Sequence, residues 1–111
     1  MSITLLLRCQ DMEKTADFYR SILDFRVTIS AGILTVEKYG GKIVFTDRDL
    51  WNVPVTCSGT VYFTVPDIET YYSRLEDKNI VVWPIQEMPY GSTEFGVVDC
   101  NGYYLGFQQK A

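Results

Sequence analysis

The chain contains no histidine at all. Without imidazole there is no Ser-His-Asp or Cys-His pair, no His-ligated zinc and no His general base, which removes much of the usual catalytic repertoire. Cysteine is scarce and odd in number. Cys9, Cys57 and Cys100 lie far apart, so neither a disulfide framework nor a CxxC metal site is indicated, and reduced, mostly buried thiols are expected. Basic residues are outnumbered, 10 Lys and Arg against 14 Asp and Glu, and no basic cluster offsets the net charge of −4. Phosphate-backbone binding is therefore disfavoured and no nucleic-acid partner is expected. No apolar run approaches the roughly 20 residues that span a bilayer, so no membrane partner is expected either. The opening "MSITLLLRCQD" has no basic leader and too short an apolar stretch for a signal peptide, which makes a cytoplasmic protein the expectation.

What is present suits a single domain over residues 1–111, long enough to bury on the order of two-thirds of its unfolded surface. Aromatic residues make up 14% of the chain, eight of them tyrosines. Tyr and Trp suit surfaces that are apolar on one side and hydrogen-bonding on the other.

The first half reads β-α-β-β-β. "ITLLLRC" is a short apolar run, and "DMEKTADFYRSILDF" follows with Asp11 as N-cap, Glu13 in the first turn, and Met12, Thr15, Phe18, Tyr19 and Ile22 at helical spacing. "FRVTIS" and "ILTVEKY" read as strands joined at Ala31-Gly32, with "KIVFT" after a Gly40-Gly41 turn. The second half repeats the order. "GTVYFTVPD" ends at Asp67, a second N-cap, and "IETYYSRLEDKN" carries Ile68, Tyr71, Tyr72 and Leu75 on one helical face, with Asn79 as a left-handed C-cap. "IVVWPI", "TEFGVV" and "YYLGF" follow, the last two joined by a turn in which Asn101-Gly102 supply the positive φ angles. Asp11-Met12-Glu13 superposes on Asp67-Ile68-Glu69, so Thr4 matches Thr60 and Leu6 matches Tyr62. The chain reads as a duplication, module one over 1–49 and module two over 58–109, joined by the polar loop "DRDLWNVPVTCSG".

One helix can cover only one face of each four-stranded sheet. Alternation places Val61, Phe63 and Val65 on the helix side and Thr60, Tyr62 and Thr64 on the other. Two such mixed polar and aromatic faces brought together would make a crevice suited to a small molecule.

At this point the sequence resembles the glyoxalase/bleomycin-resistance/extradiol-dioxygenase, or vicinal oxygen chelate, superfamily. "DMEKTADFYRSILDFRV" is similar to its first helix, "VPDIETYYSRLEDKNI" to its second, and "YGSTEFGVVDCNGYYLGF" to its closing strand, turn and strand. The resemblance implies an α+β fold of two tandem βαβββ modules whose curled mixed sheets surround a crevice. It also implies metal ligands, His, Gln or Glu, on the first and last strands of each module. Carried onto this chain, those positions fall on Thr4 and Thr60, near Phe45, and on Gly106. Hydroxyls, a ring and a hydrogen offer a divalent cation neither charge nor chelation, so no metal and no other cofactor is expected. The glyoxalase, dioxygenase, epimerase and thiol-transferase activities are then not expected.

Metal-free relatives of the bleomycin-resistance type sequester drugs and are typically homodimers. The resemblance therefore implies a homodimeric protein that binds an aromatic or cationic drug-like ligand. Counting back from Gly106 places Tyr104 and Gln108 on the inner face, with Glu94 on the preceding strand and Thr35 and Glu37 as its first-module counterparts. Phe45 and Tyr62 are the expected aromatic walls, Trp83 or Trp51 stands near the mouth, and Arg8 is inward by parity and could neutralise a carboxylate. A carboxylate among aromatic faces favours a cation or a planar amine. Gly106 leaves open the space a metal and its carboxylate would fill, either for a ligand or for a neighbouring ring such as Tyr62. Two other readings stay open. One is an enzyme of the same superfamily, with Glu94 as base, Tyr62 or Tyr104 as acid, or a metal on Glu37 and Glu94. The other is an interaction module anchored by Trp51 and Trp83.

Overall fold

A computed structural model describes residues 4–110. The chain divides into two compact units, residues 1–56 and 57–111, each running β-α-β-β-β around its own four-stranded mixed sheet.

The first unit contains β1 (Leu6–Arg8), α1 (Met12–Asp17), β2 (Arg26–Ser30), β3 (Ile33–Lys38) and β4 (Gly41–Thr46), in the sheet order β1-β4-β3-β2. Only β1 and β4 run parallel. The Asp11 carboxylate caps α1 by accepting from the Lys14 N–H at 3.0 Å, satisfying a backbone donor the helix itself leaves unpaired. The helix then widens into a π-helical stretch, Phe18–Ile22, where the Leu23 N–H reaches back five residues to the Phe18 carbonyl at 3.3 Å. Tyr19 and Leu23 are both fully buried, and the Tyr19 ring lies 5.3 Å from Phe25 and 5.4 Å from Phe45. Leu34, Val36 and Ile43 complete this core.

Both hairpins of this sheet turn on two residues with positive φ, Ala31-Gly32 (53° and 78°) and Tyr39-Gly40 (50° and 82°), the geometry that matches the strands' right-handed twist. The second turn therefore lies one residue earlier than the expected Gly40-Gly41, because Gly41 already pairs with Lys38 as the first residue of β4.

The second unit contains β5 (Thr60–Thr64), α2 (Ile68–Arg74), β6 (Val81–Glu87), β7 (Thr93–Val98) and β8 (Tyr104–Gln109), in the order β5-β8-β7-β6. Asp67 caps α2 through the Thr70 N–H at 3.2 Å and the Thr70 hydroxyl at 2.7 Å. Under the helix, Phe63, Phe107 and Phe95 form a stacked row with centroids 5.6 and 5.1 Å apart, and Tyr71 meets Phe107 edge-on at 5.0 Å. Each such pair contributes about 0.5–1.5 kcal/mol beyond its buried area. Of the predicted inward set Val61, Phe63 and Val65, the last two are buried and Val61 is half-buried, whereas Tyr62 is exposed on the opposite face.

Three local expectations are corrected. Asn79 is not a left-handed C-cap. The helix stops at Arg74 with Leu75 extended (φ −68°, ψ 113°), and the Asp77 carboxylate captures the Asn79 N–H at 3.0 Å, making a short 3-10 turn over Lys78–Ile80. In the loop before β8 only Gly102 takes positive φ, 88°, because the buried Asp99 carboxylate accepts from the N–H groups of Asn101 (2.9 Å) and Tyr103 (2.8 Å) and so shapes the loop. Of the cysteines only Cys9 is buried; Cys57 and Cys100 stand in exposed loop positions. Among the described residues no helix is long and apolar enough to cross a membrane.

Candidate functional site on the second sheet

The helix-free face of the second sheet gathers the chemistry. Pairing sets Tyr62 of β5 opposite Gly106 of β8, Gly106 opposite Gly96 of β7, and Gly96 opposite Trp83 of β6. Trp83 reaches this row through two register shifts in β6, one on each side of it. The second contains Pro84, which cannot donate to a ladder and is tolerated on an edge strand or at a bulge.

The two glycines are a floor for the two rings. A Cβ on Gly106 would lie 2.5 Å from Tyr62 Cε1, and one on Gly96 would lie 2.2 Å from Trp83 Cε2 and Cζ2. Only hydrogen fits beneath either ring. Of the two occupants expected above Gly106, a ligand or a neighbouring ring, the structure shows the Tyr62 ring, which the missing Cβ admits. Trp83 likewise lies on the floor rather than at a mouth.

The next row carries Thr64, Gln108, Glu94 and Gln86. Glu94 is only 2% exposed. Its Oε1 accepts from the Tyr62 hydroxyl at 3.2 Å, and its Oε2 accepts from the hydroxyls of Tyr90 at 2.5 Å and Ser92 at 3.1 Å. All three donors are neutral. A buried carboxylate is costly unless hydrogen-bonded, and each bond to a charged group returns about 1.5–3 kcal/mol. The carboxylate acts on the phenols in turn. Burial, then the Glu94 charge and the hydrogen bond to it, push the Tyr62 phenol above its ordinary pKa; for Tyr90 the hydrogen bond to Glu94 leads, followed by desolvation and the same charge. Both stay protonated as donors at neutral pH.

Tyr104 shares this face but lies one row out, opposite Thr60 and Val98, with its ring exposed. The structure therefore unites Tyr62, Glu94, Gly106 and Trp83, with Tyr104 at the margin. Sequence reading missed Gly96, Ser92 and Tyr90. The first two share Glu94's parity on the strand, a usable signal; Tyr90 sits in the Met88–Ser92 loop, where no periodicity points a side chain.

The first-unit candidates behave differently. Phe45 is no wall: it is completely buried against Tyr19, in the row where Leu34 pairs with it, because its strand parity is that of Ile43 under the helix. The counterpart of Gly106 is Val44, since Leu6 faces Val44 as Tyr62 faces Gly106. Leu34 opposite Phe45 corresponds to Phe95 opposite Phe107, so Glu94 corresponds to Ile33 and not to Glu37. Glu37 lies at the other end of its strand, paired with Arg26 at 3.2 Å. It lines a shallow groove of about 570 Å³ with Asp24, Arg26 and Lys38, whose charges are matched among themselves, Lys38 lying 3.1 Å from Asp24. Arg8 is engaged too, by Asp49 at 2.8 Å and the Val53 carbonyl at 2.5 Å, so it is not poised to neutralise a ligand.

In neither unit do the ligand positions fit a divalent cation, Thr4 and Val44 offering one neutral hydroxyl and Thr60 and Gly106 another, and among the described residues no group of three or more His, Cys, Asp or Glu could hold one.

Two βαβββ units, each closing a mixed four-stranded sheet, define the α+β class of the glyoxalase/bleomycin-resistance fold. The profile of the Glyoxalase/Bleomycin resistance protein/Dioxygenase superfamily matches residues 3–107, and the chain belongs to that superfamily. Among solved structures it is similar to TioX from Micromonospora sp. ML1, at 20% identity and TM-score 0.79 over 100% of this chain and 99% of that one. It is also similar to a glyoxalase/bleomycin resistance protein/dioxygenase from Alicyclobacillus acidocaldarius, at 18% identity and TM-score 0.74 over 97% and 89%. An integron cassette protein from V. cholerae matches at 20% identity and TM-score 0.74 over 100% and 98%. At these identities the likeness carries the fold alone. No curated protein matches the sequence significantly.

Proposed function

We propose that the protein is a small-molecule-binding member of its superfamily that works without a metal, recognising a planar aromatic ligand on the helix-free face of the second sheet. The observation that carries this is the adjacency of two rings laid flat on a glycine floor with a buried carboxylate held by hydroxyls alone. Rings supply a stacking surface, and Glu94 supplies one fixed acceptor for orientation. An acid–base enzyme at the same place is less well supported, because phenols whose pKa is raised are poor proton donors near neutrality. The reading includes a homodimer, since each sheet ends in two edge strands that a second copy can cover; sedimentation of the purified protein tests it.

A thermal-shift panel of aromatic drugs and metabolites tests the binding role. A ligand present at 100 times its dissociation constant adds about 2.7 kcal/mol of stability. Tyr62→Ala and Glu94→Gln should each weaken whatever binds; a ligand indifferent to both would place the site elsewhere. Zn²⁺, Ni²⁺ or Mn²⁺ should leave the melting temperature unchanged, and a stoichiometric metal in the purified protein would refute the metal-free part.

A further inference from the structure

We infer that the Tyr90 hydroxyl is a displaceable placeholder on Glu94, and that the ligand of this face is an arylalkyl ammonium whose N–H groups take its place. The inference rests on the small-molecule reading above and narrows it to one ligand class.

Tyr62 and Ser92 hold Glu94 from the sheet and its edge, but Tyr90 reaches it from outside. The residue is 68% exposed, in the loop between β6 and β7, yet its hydroxyl is 2.5 Å from Oε2. That loop is closed by its own bonds, Met88 N–H to the Ser92 carbonyl at 2.7 Å and Gly91 N–H to the Met88 carbonyl at 2.9 Å, with Gly91 at φ 96°. Tyr90 can therefore rotate off Glu94 without unmaking the loop. Beside it lies a cavity of about 230 Å³ lined by Tyr90, Gly91, Ser92, Gln108 and Lys110. This is below the roughly 300–1,000 Å³ of drug-sized sites, so it suits a ring with a short arm.

Charge selects the arm. Glu94 is buried with no cation, so the strongest partner it could gain is an ammonium, which brings an opposite charge to a hydrogen bond that a hydroxyl makes without one. An anionic arm would meet Glu94 as a like charge. Lys110 opposes a cation only weakly, being exposed and screened.

The experiment uses three probes with one ring: naphthylmethylammonium, naphthylmethanol and naphthylacetate, titrated calorimetrically into the wild-type protein, Tyr90→Phe and Glu94→Gln. In the wild type the ammonium should bind about tenfold tighter than the alcohol, with the acid weakest. Tyr90→Phe, at an exposed position, should tighten both donors, ammonium and alcohol, about three- to tenfold by removing the competitor each must displace, and should not help the acid, which has no donor to offer Glu94. Glu94→Gln should level ammonium and alcohol. The inference is overturned if Tyr90→Phe leaves the ammonium's affinity unchanged or lowers it. It is also overturned if the alcohol binds as well as the ammonium in the wild type; should that binding still be lost in Tyr62→Ala, the small-molecule reading stands without it. Failure of all three probes to bind overturns the inference as well, and the thermal-shift panel then decides the broader reading separately.

Discussion

Replacing Gly96 by alanine tests the aromatic floor at the place where it is tightest. The added Cβ would come within 2.2 Å of two Trp83 ring carbons and 2.4 Å of a third, where ordinary contact begins at 3.4 Å, so the indole must retreat by about 1.2 Å. Such a gap is too small for water and forfeits a quarter to a half of the local dispersion energy. Overpacking of this kind costs about 1–3 kcal/mol. Alanine recovers about 0.5–1 kcal/mol of that, because glycine loses more conformational freedom in a strand. The net expectation is a loss of about 1–2 kcal/mol, or about 4–8 °C in melting temperature for a domain of this size. Gly106→Ala is the control. Its Cβ would meet Tyr62 at 2.5 Å, but that residue is 46% exposed on an edge strand and can swing outward, so the cost is the broken bond to Glu94, about 1.5–3 kcal/mol less the roughly 0.5–1 kcal/mol that alanine recovers, and Trp83 emission should not change. Urea unfolding followed by tryptophan fluorescence measures both. A neutral Gly96→Ala with unaltered Trp83 emission, or an emission change as large in Gly106→Ala as in Gly96→Ala, would refute a floor on which Trp83 rests flat.

Phe45→Ala should destabilise the protein by about 3–5 kcal/mol, since the ring is completely buried against Tyr19, while molecules that remain folded keep their ligand affinity; denaturant melts and titrations separate the two effects. Asp99→Ala should cost about 1–3 kcal/mol in the same melts, because the carboxylate's bonds from the N–H groups of Asn101 and Tyr103 are lost. Tyr62 and Tyr90 should ionise above the ordinary tyrosine value of about 10 in an NMR titration with labelled tyrosine, and Glu94→Gln should bring both down. Their folded-state values are raised, so the native state holds these protons longer than the unfolded chain does. The associated stability is complete below about pH 10 and falls as pH climbs from there through the raised values; alkaline melts that are flat across that window would contradict it.

Much of the architecture is written in short-range signals. Asp11 and Asp67 cap their helices as carboxylates a few residues from the N–H groups they bind. Strand alternation separates Phe63 and Val65 from Tyr62, and it puts Glu94, Tyr104 and Gly106 on one face. The same alternation applied to "KIVFT" groups Phe45 with Ile43 in the core; placing Phe45 at the site followed the family pattern where its alignment is loose. Glu37 and Arg8 stand on the helix-free face of the first sheet, but their ion pairs with Arg26 and Asp49 depend on which segments become neighbours.

The amino-acid order by itself determined the two helices, the eight strands and the side of each sheet that faces a helix, because backbone geometry sends successive side chains in known directions. The tertiary structure alone decided that Trp83 lies on Gly96, that Tyr62 covers Gly106, and that Tyr90 closes on Glu94. Those contacts depend on the register between strands, on bulges in an edge strand and on the path of a loop, which hydrogen bonding between distant residues settles only once the sheet has formed.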